Sequence, residues 1–346
     1  MSSTSNNSGP SAASFAKLKA FSIDFNWGPG ADPHFAEPGL WADASPAEHI
    51  EWYRALGANV VQTFCVSCNG YAWYKNSFAP EQPGLKTDFL REQVRLGHAA
   101  NMLVMGYFCP GANTLWGQTH PDLSYGAPAL WHIPYTDAYL DYLAASISDA
   151  VGTTGIDGFM GDLIWNPDRA INGGQWLQCE RDLYAQLMKE PFPGEERLTE
   201  AQELAYGRAA VDRCWGVIRD AAKRANPNCI LWLCCNNLDH PHARHSRMFR
   251  EVDWLMNEHP NPATLPLARA DRGPNARLLQ CCCGWAEENN AAAIVDDPQY
   301  ADVGFYGFAK PDYDGFPPLN PPDTAERHYK GNAVNIATLR RAYHRD

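Results

Sequence analysis

Short apolar runs alternate with longer amphipathic or polar stretches along the chain. The runs are Ala20–Trp27, Asn59–Cys65, Met102–Cys109, Ile156–Trp165, Cys229–Asn236, Val252–Glu258, Arg277–Trp285 and Val303–Lys310. Each has the length of a strand, and the stretches between them are long enough for a helix. Strand-like runs alternating with helical ones imply parallel βαβ units. Eight of them imply closure into a (β/α)8 TIM barrel, a single α/β catalytic domain over residues 16–346.

The connections carry helix signals of their own. Ser45-Pro46-Ala47-Glu48 reads as a capping box with Pro at the first helical position, opening a helix that stops at Gly57. Thr136 caps a segment whose Tyr139, Leu140, Leu143, Ile147 and Ala150 fall on one face at helical spacing. Thr199 with Gln202 opens the longest helix, carrying Leu204, Val211, Trp215 and Ile218 and ending at Asn226-Pro227. The stretch between the fourth and fifth runs is about twice a plain βα unit. Its excess, Asn166 to Thr199, is rich in Pro, Gly and Trp and is expected as a loop insertion over the barrel mouth.

Composition narrows the partners. The chain of 346 residues is 45% hydrophobic and 12% aromatic, with 12 Trp and 15 Tyr, more indole than an ordinary core needs. Sugar-binding clefts use such rings as flat apolar platforms with a polar edge, and Trp-rich cores are the competing explanation. A net charge of −12 argues against nucleic acid and anionic membranes as general partners. No run approaches the ~18 apolar residues of a membrane span. Met1 to Phe15 is Ser/Asn/Gly-rich, without the basic and apolar regions of a signal peptide, and reads as a disordered tail. The 11 Cys include Cys234-Cys235 and Cys281-Cys282-Cys283 inside apolar runs, where free buried thiols fit better than a disulfide framework. A reducing compartment, hence a cytoplasmic location, is the expectation. The sequence sets no oligomeric state.

Candidate chemistry centres on Ile156-Asp157-Gly158-Phe159-Met160-Gly161-Asp162-Leu163-Ile164-Trp165, a buried strand with a carboxylate where it runs out. Catalytic carboxylates of such barrels sit at the carboxyl ends of strands, which singles out Asp162. The competing reading is a loop Asp satisfied by backbone N–H groups. Glu258, in Met256-Asn257-Glu258-His259-Pro260, ends the sixth run and is the first candidate for a partner acid. Glu287 and Glu288 past the seventh run, and Asp24 on the first, stand behind it, with Glu37 and Asp239 possible from loops.

Four short segments resemble one family in consistent order. Phe21-Ser22-Ile23-Asp24-Phe25-Asn26-Trp27-Gly28-Pro29 is similar to the first-strand motif F-G-I-F-x-H-W-G of the retaining α-L-fucosidases, a family of glycoside hydrolases. Val66-Ser67-Cys68-Asn69-Gly70-Tyr71-Ala72-Trp73 resembles their K-H-H-D-G-F loop, and Met105-Gly106-Tyr107-Phe108 their third strand. Asp157-Gly158-Phe159-Met160-Gly161-Asp162 has the spacing of their D-x-x-W-F-D, whose last Asp is the nucleophile. The resemblance runs from about Phe21 to Trp165 and implies a (β/α)8 barrel and a covalent glycosyl-enzyme. Asp162 would attack the anomeric carbon while a second carboxylic acid protonates the leaving oxygen. The resemblance fixes no residue for that role, for which Glu258 is the first candidate and Glu287 and Glu288 the next. No cofactor and no metal is called for.

The departures from the family bear on the substrate. Asn26 stands where the first motif has His, Ser67 and Cys68 where the second has two His, and Asn69 where it has Asp. In the family those imidazoles hydrogen-bond the sugar hydroxyls, so another glycoside is expected in place of a simple α-L-fucoside. Asp24, Asn26, Trp27, Cys68, Asn69, Trp73, Tyr107, Trp165, Asn236, His240, Trp285, Glu287 and Lys310 follow strand ends and are the candidate substrate-binding residues. Two further function classes stay open. One is a metal-dependent barrel hydrolase using Asp162, His240, His242 and Cys side chains, with Cys65-x-x-Cys68, Cys109, Cys234 and Cys281 as imaginable zinc ligands. The other is a carbohydrate-binding barrel without catalysis.

Overall fold

Eight parallel strands close into a barrel in chain order. They are β1 (Lys19–Ile23), β2 (Val60–Phe64), β3 (Leu103–Phe108), β4 (Gly158–Asp162), β5 (Ile230–Cys235), β6 (Trp254–Asn257), β7 (Arg277–Cys281) and β8 (Gly304–Ala309). The computed structural model describes residues 10–28, 35–125, 133–162, 169, 173–235, 238–258, 262–282, 291–309 and 332–345. Every expected run contains one strand, and the fold class is as the alternating pattern requires. The strands end earlier than the runs. Apolar character continues past the sheet, as at Cys282, which has left β7 but is fully buried.

The helices are α1 (Pro46–Leu56), α2 (Phe89–Ala99), α3 (Thr114–Thr119), α4 (Asp137–Thr154), α5 (Gln178–Met188), α6 (Glu200–Ala225), α7 (Met248–Glu251), α8 (Leu265–Asp271), α9 (Ala291–Ile294) and α10 (Asn332–Tyr343). Their ends obey local chemistry. Ser45 accepts from the Glu48 N–H, Thr136 from that of Tyr139, and Thr199 with Gln202 forms a reciprocal capping box. Gly57 and Gly155 close α1 and α4 in the left-handed conformation, which costs glycine little.

Registered residues of parallel strands point the same way, so alternation sorts each strand into an inner and an outer face. Trp232, Trp254 and Tyr306 fill the middle of the barrel, with Trp232 5.5 Å from each of the other two rings. Tyr306 donates to Gln62 Oε1 at 2.9 Å across the interior, which satisfies two polar groups in an apolar layer. At Gly158 the strands approach closely: a Cβ there would collide with the Ile230 carbonyl oxygen.

The segment after β4 contains a helix. Trp176, Leu183 and Tyr184 around α5 bury themselves with Tyr206 of α6 in a small second cluster. Arg169 stacks on Trp176 at 3.5 Å and pairs with the fully buried Glu180 at 3.0 Å. Tyr125 donates to the same carboxylate, tying this wall to the loop after β3. Residues 163–168, which follow β4 in the chain, lie outside the described residues. At the amino end, Arg277 donates to the carbonyls of Ala12 and Ala16. The cysteines among the described residues are free thiols, nearly all of them buried. No helix among the described residues is long and apolar enough to cross a membrane.

Candidate active site

Asp162 is the last residue of β4 and is registered with Cys234 of β5, while Glu258 follows the last residue of β6. Three neighbouring strands thus deliver two carboxylates and a thiol to one spot at the carboxyl end of the barrel. One oxygen of Asp162, one of Glu258 and the Cys234 sulfur lie within 4.8 Å of one another. Both carboxylate residues are partly exposed, and Cys234 is buried. The Glu258 N–H donates to the Cys235 carbonyl at 3.0 Å, which fixes the chain as it leaves β6.

Neutral donors surround this pair. Tyr107, from the inner face of β3, donates its hydroxyl to Asp162 Oδ2 at 2.7 Å. Burial, then the Asp162 charge, push the Tyr107 phenol well above its ordinary range, so it stays a donor at any physiological pH. The Cys234 thiol lies beside Glu258, its sulfur within 4.8 Å of a carboxylate oxygen. Burial first, then the charges of Glu258 and Asp162, hold it protonated. The Cys68 sulfur lies 3.7 Å from the Tyr107 hydroxyl, and Cys68 too is kept a thiol, chiefly by burial.

The loops after β1 and β2 spend their polar groups on each other. Asn26 receives the Cys68 N–H on Oδ1 at 2.9 Å and gives its own N–H to Asp24 Oδ1 at 2.8 Å. Asn69 donates to the Ala36 carbonyl and accepts from the Tyr71 N–H and the Gln82 amide, each at 3.2 Å. Ser67 accepts from the Trp73 indole N–H. Trp73 is 1% exposed and stacks on Phe25 at 4.3 Å, which places its ring in the wall behind the loop and not on the cleft surface. Trp27 is also buried, paired with Phe35 at 5.2 Å.

His240 and His242 contact each other at 5.0 Å, and the His242 ring lies directly under Gly207 of α6. Burial lowers both, His242 to about 4, so the two rings are neutral near pH 7. They do not join Asp162. Glu37 and Asp239 are exposed on loops. Cys65 packs against Gly106 on the outer face of the sheet while Cys68 faces Tyr107 inside, so this C-x-x-C does not bring its sulfurs to one centre. Among the described residues, Asp162, Cys234 and Glu258 are the only three donors close enough to suggest a metal ion. Tetrahedral zinc, with bonds of ~2.0–2.3 Å, holds its ligands roughly 3.5 Å apart. The three here lie within 4.8 Å of one another and offer two carboxylates and a thiol, with no imidazole among them. Trp165, Asn236, Trp285, Glu287, Glu288 and Lys310 lie outside the described residues.

Sequence reasoning did not foresee Tyr306 or Gln62 inside the barrel, nor Cys234 between the two carboxylates. The available signal was parity: counting in twos along the fifth run puts Trp232 and Cys234 on one face.

Comparison with solved structures places the fold. An α-L-fucosidase isoenzyme from Paenibacillus thiaminolyticus superposes with a TM-score of 0.65 at 14% identity, over 94% of this chain and 49% of that one. The chain therefore spans about half the length of that protein. The glycoside hydrolase domain of PgaB from Bordetella bronchiseptica matches with a TM-score of 0.55 at 10% identity, over 95% of this chain and 99% of that one. A maltogenic α-amylase from Thermotoga neapolitana matches with a TM-score of 0.52 at 10% identity, over 95% of this chain and 76% of that one. No protein-family model and no curated protein sequence matches the chain. The (β/α)8 barrel read from the sequence is thus shared with an α-L-fucosidase and with other glycoside hydrolases, at low identity.

Proposed function

We propose that the chain is a retaining glycoside hydrolase in which Asp162 is the nucleophile and Glu258 the acid and base. The observation that carries this reading is the spacing of the two carboxylates, whose oxygens come within 4.8 Å. Retaining enzymes hold theirs ~5–5.5 Å apart, whereas inverting enzymes need ~6.5–9.5 Å to admit a water between carboxylate and sugar. The solved structures that share the fold, an α-L-fucosidase, a glycoside hydrolase domain and an amylase, support the same reaction class.

The first step forms a bond from an Asp162 oxygen to the anomeric carbon and breaks the bond to the leaving oxygen, which takes the Glu258 proton. In the second, a water oxygen bonds to the anomeric carbon, Glu258 takes the water proton, and the bond to Asp162 breaks. The Tyr107 hydroxyl favours the Asp162 anion before attack and offers a hydrogen bond to it again as it departs. The substrate in this reading is a glycoside other than a simple α-L-fucoside, an oligosaccharide lying along the barrel mouth.

Asp162→Asn tests the assignment. It should fold normally and lose more than nine-tenths of the wild-type rate on an aryl glycoside that the enzyme cleaves, a barrier increase above ~1.4 kcal/mol. Azide should restore turnover as a glycosyl azide. NMR of the fresh product should show the starting anomer. An inverted product, or a variant above one tenth of the wild-type rate, refutes the assignment. Binding of oligosaccharide with no turnover of any aryl glycoside would mark a carbohydrate-binding barrel instead.

A further inference from the structure

Between the two carboxylates lies a side chain to which the two-step displacement assigns no role. Strand β5 separates β4 from β6, and Cys234 is its residue in register with Asp162. Its sulfur is buried and lies within 4.8 Å of an oxygen of each carboxylate, so its thiol can reach Glu258. Each carboxylate therefore has its own neutral donor on a neighbouring strand: Tyr107 for Asp162 and Cys234 for Glu258. The two donors differ in strength. A phenol is a strong donor, whereas a thiol is a weak one.

We propose that Cys234 is a positioning residue that holds the Glu258 carboxyl beside Asp162 through a weak hydrogen bond, leaving Glu258 free to carry a proton while Asp162 stays ionised. The inference rests on the assignment of Asp162 and Glu258 given above. Its logic is one of asymmetry, since two carboxylates in one site divide into acid and nucleophile only when their surroundings differ. A strong donor at position 234 would favour the Glu258 anion and leave less of Glu258 protonated near neutral pH. No donor at position 234 would take one hydrogen bond away from that anion, which forms beside Asp162 when the leaving group departs. A thiol lies between these extremes, and its apolar bulk fills the space on β5 without drawing in water.

Among the described residues, the other titratable groups around the pair are Asp24 just after β1, Cys68 in the loop after β2, Tyr107 from β3, Cys281 from β7 and Tyr306 from β8. Tyr107 and Tyr306 are held as neutral phenols, chiefly by burial. The measurement must therefore read Glu258 itself and separate it from Asp24.

The test compares Cys234→Ala and Cys234→Ser by two readouts. The first is the basic limb of the kcat/KM profile, where the acid loses its proton. Removing the donor in Cys234→Ala should move this limb up by about half a unit to one unit, the size of a modest hydrogen bond. Cys234→Ser, whose hydroxyl is a stronger donor, should place it at or below the wild-type position. Simple loss of packing would lower activity in both variants and move neither limb. The second readout is a carbon NMR titration of the labelled Glu258 carboxyl, which needs no turnover and should show the same order. A Glu258 titration unchanged in Cys234→Ala, or equal shifts in both variants, overturns the proposal. If Asp162→Asn keeps its activity while the NMR shifts appear as expected, the glycosidase assignment fails and the coupling of Cys234 to Glu258 stands.

Discussion

Tyr107 donates to Asp162, and its ring packs against Phe64 at 4.8 Å, so Tyr107→Phe removes the hydroxyl without removing the ring. The bond at 2.7 Å stabilises the Asp162 anion. Losing it should raise the pH at which Asp162 becomes ionised. The acid limb of kcat/KM should accordingly move up by about one unit, with the basic limb in place. An acid limb that stays where it was would mean that Asp162 is not the group titrating there. At this scale some residues could be read from the chain and others could not. Asp162 and Glu258 stand out because a carboxylate at the end of an apolar run contradicts its surroundings. Cys234 does not, because a thiol inside Leu233-Cys234-Cys235 looks like more core, and only the barrel shows that one Cys faces Glu258 while its neighbour faces the helices. Trp73 failed in the opposite sense. Its indole N–H finds Ser67 six residues earlier, so a buried ring and a sugar platform leave the same trace in the sequence.

Helix caps were legible because they are local: Ser45, Thr136 and Thr199 each accept from an N–H three residues ahead. Strand ends were less so, since hydrogen bonding to neighbours decides where a strand stops and the apolar run continues past that point. A buried histidine at the α1–α2 contact was not foreseen either, and it gives the fold a pH dependence. His49 of α1 packs between Phe25 and Phe89 of α2, at 5.5 and 5.3 Å. Burial lowers its pKa to about 3. The unfolded chain protonates this imidazole below ~6.5, whereas the folded chain resists until about 3, so the unfolded state binds more protons in between. Stability from this group is full above pH ~6.5 and falls as pH drops toward 3, by at most ~1.4 kcal/mol per unit. Urea unfolding at pH 7 and pH 5 should show the wild type losing on the order of 1–2 kcal/mol more than His49→Leu. Equal losses in both proteins would assign the acid sensitivity to other groups.

The whole molecule combines a barrel shared with solved glycoside hydrolases and its own set of side chains at the barrel mouth. Barrel closure depends on apolar periodicity and so survives at 14% identity to the fucosidase with which it superposes. Recognition depends on a few polar side chains in loops, which are free to change. In the fucosidases that the motifs resemble, imidazoles after the first two strands hydrogen-bond the sugar. Here the side chains at those positions are engaged with the protein itself: Asn26 holds the Cys68 N–H, Ser67 holds Trp73, and Asn69 joins Ala36, Tyr71 and Gln82. The Cys68 thiol faces Tyr107 and is a poor substitute for an imidazole as a hydroxyl partner. A sugar whose hydroxyls expect donors from these loops would be bound with those hydroxyls unpaired, and each such loss costs about 1–3 kcal/mol. Two or three together amount to a penalty of several orders of magnitude in transition-state binding. We therefore expect kcat/KM for 4-nitrophenyl α-L-fucoside to fall well below ~10⁴ M⁻¹s⁻¹, the lower edge of ordinary enzymes, while another aryl glycoside or an oligosaccharide is cleaved faster. A panel of aryl glycosides assayed side by side decides it. A fucoside turned over at or above that edge would mean that the sugar is recognised by other groups of the mouth, and that the lost histidines do not set the specificity.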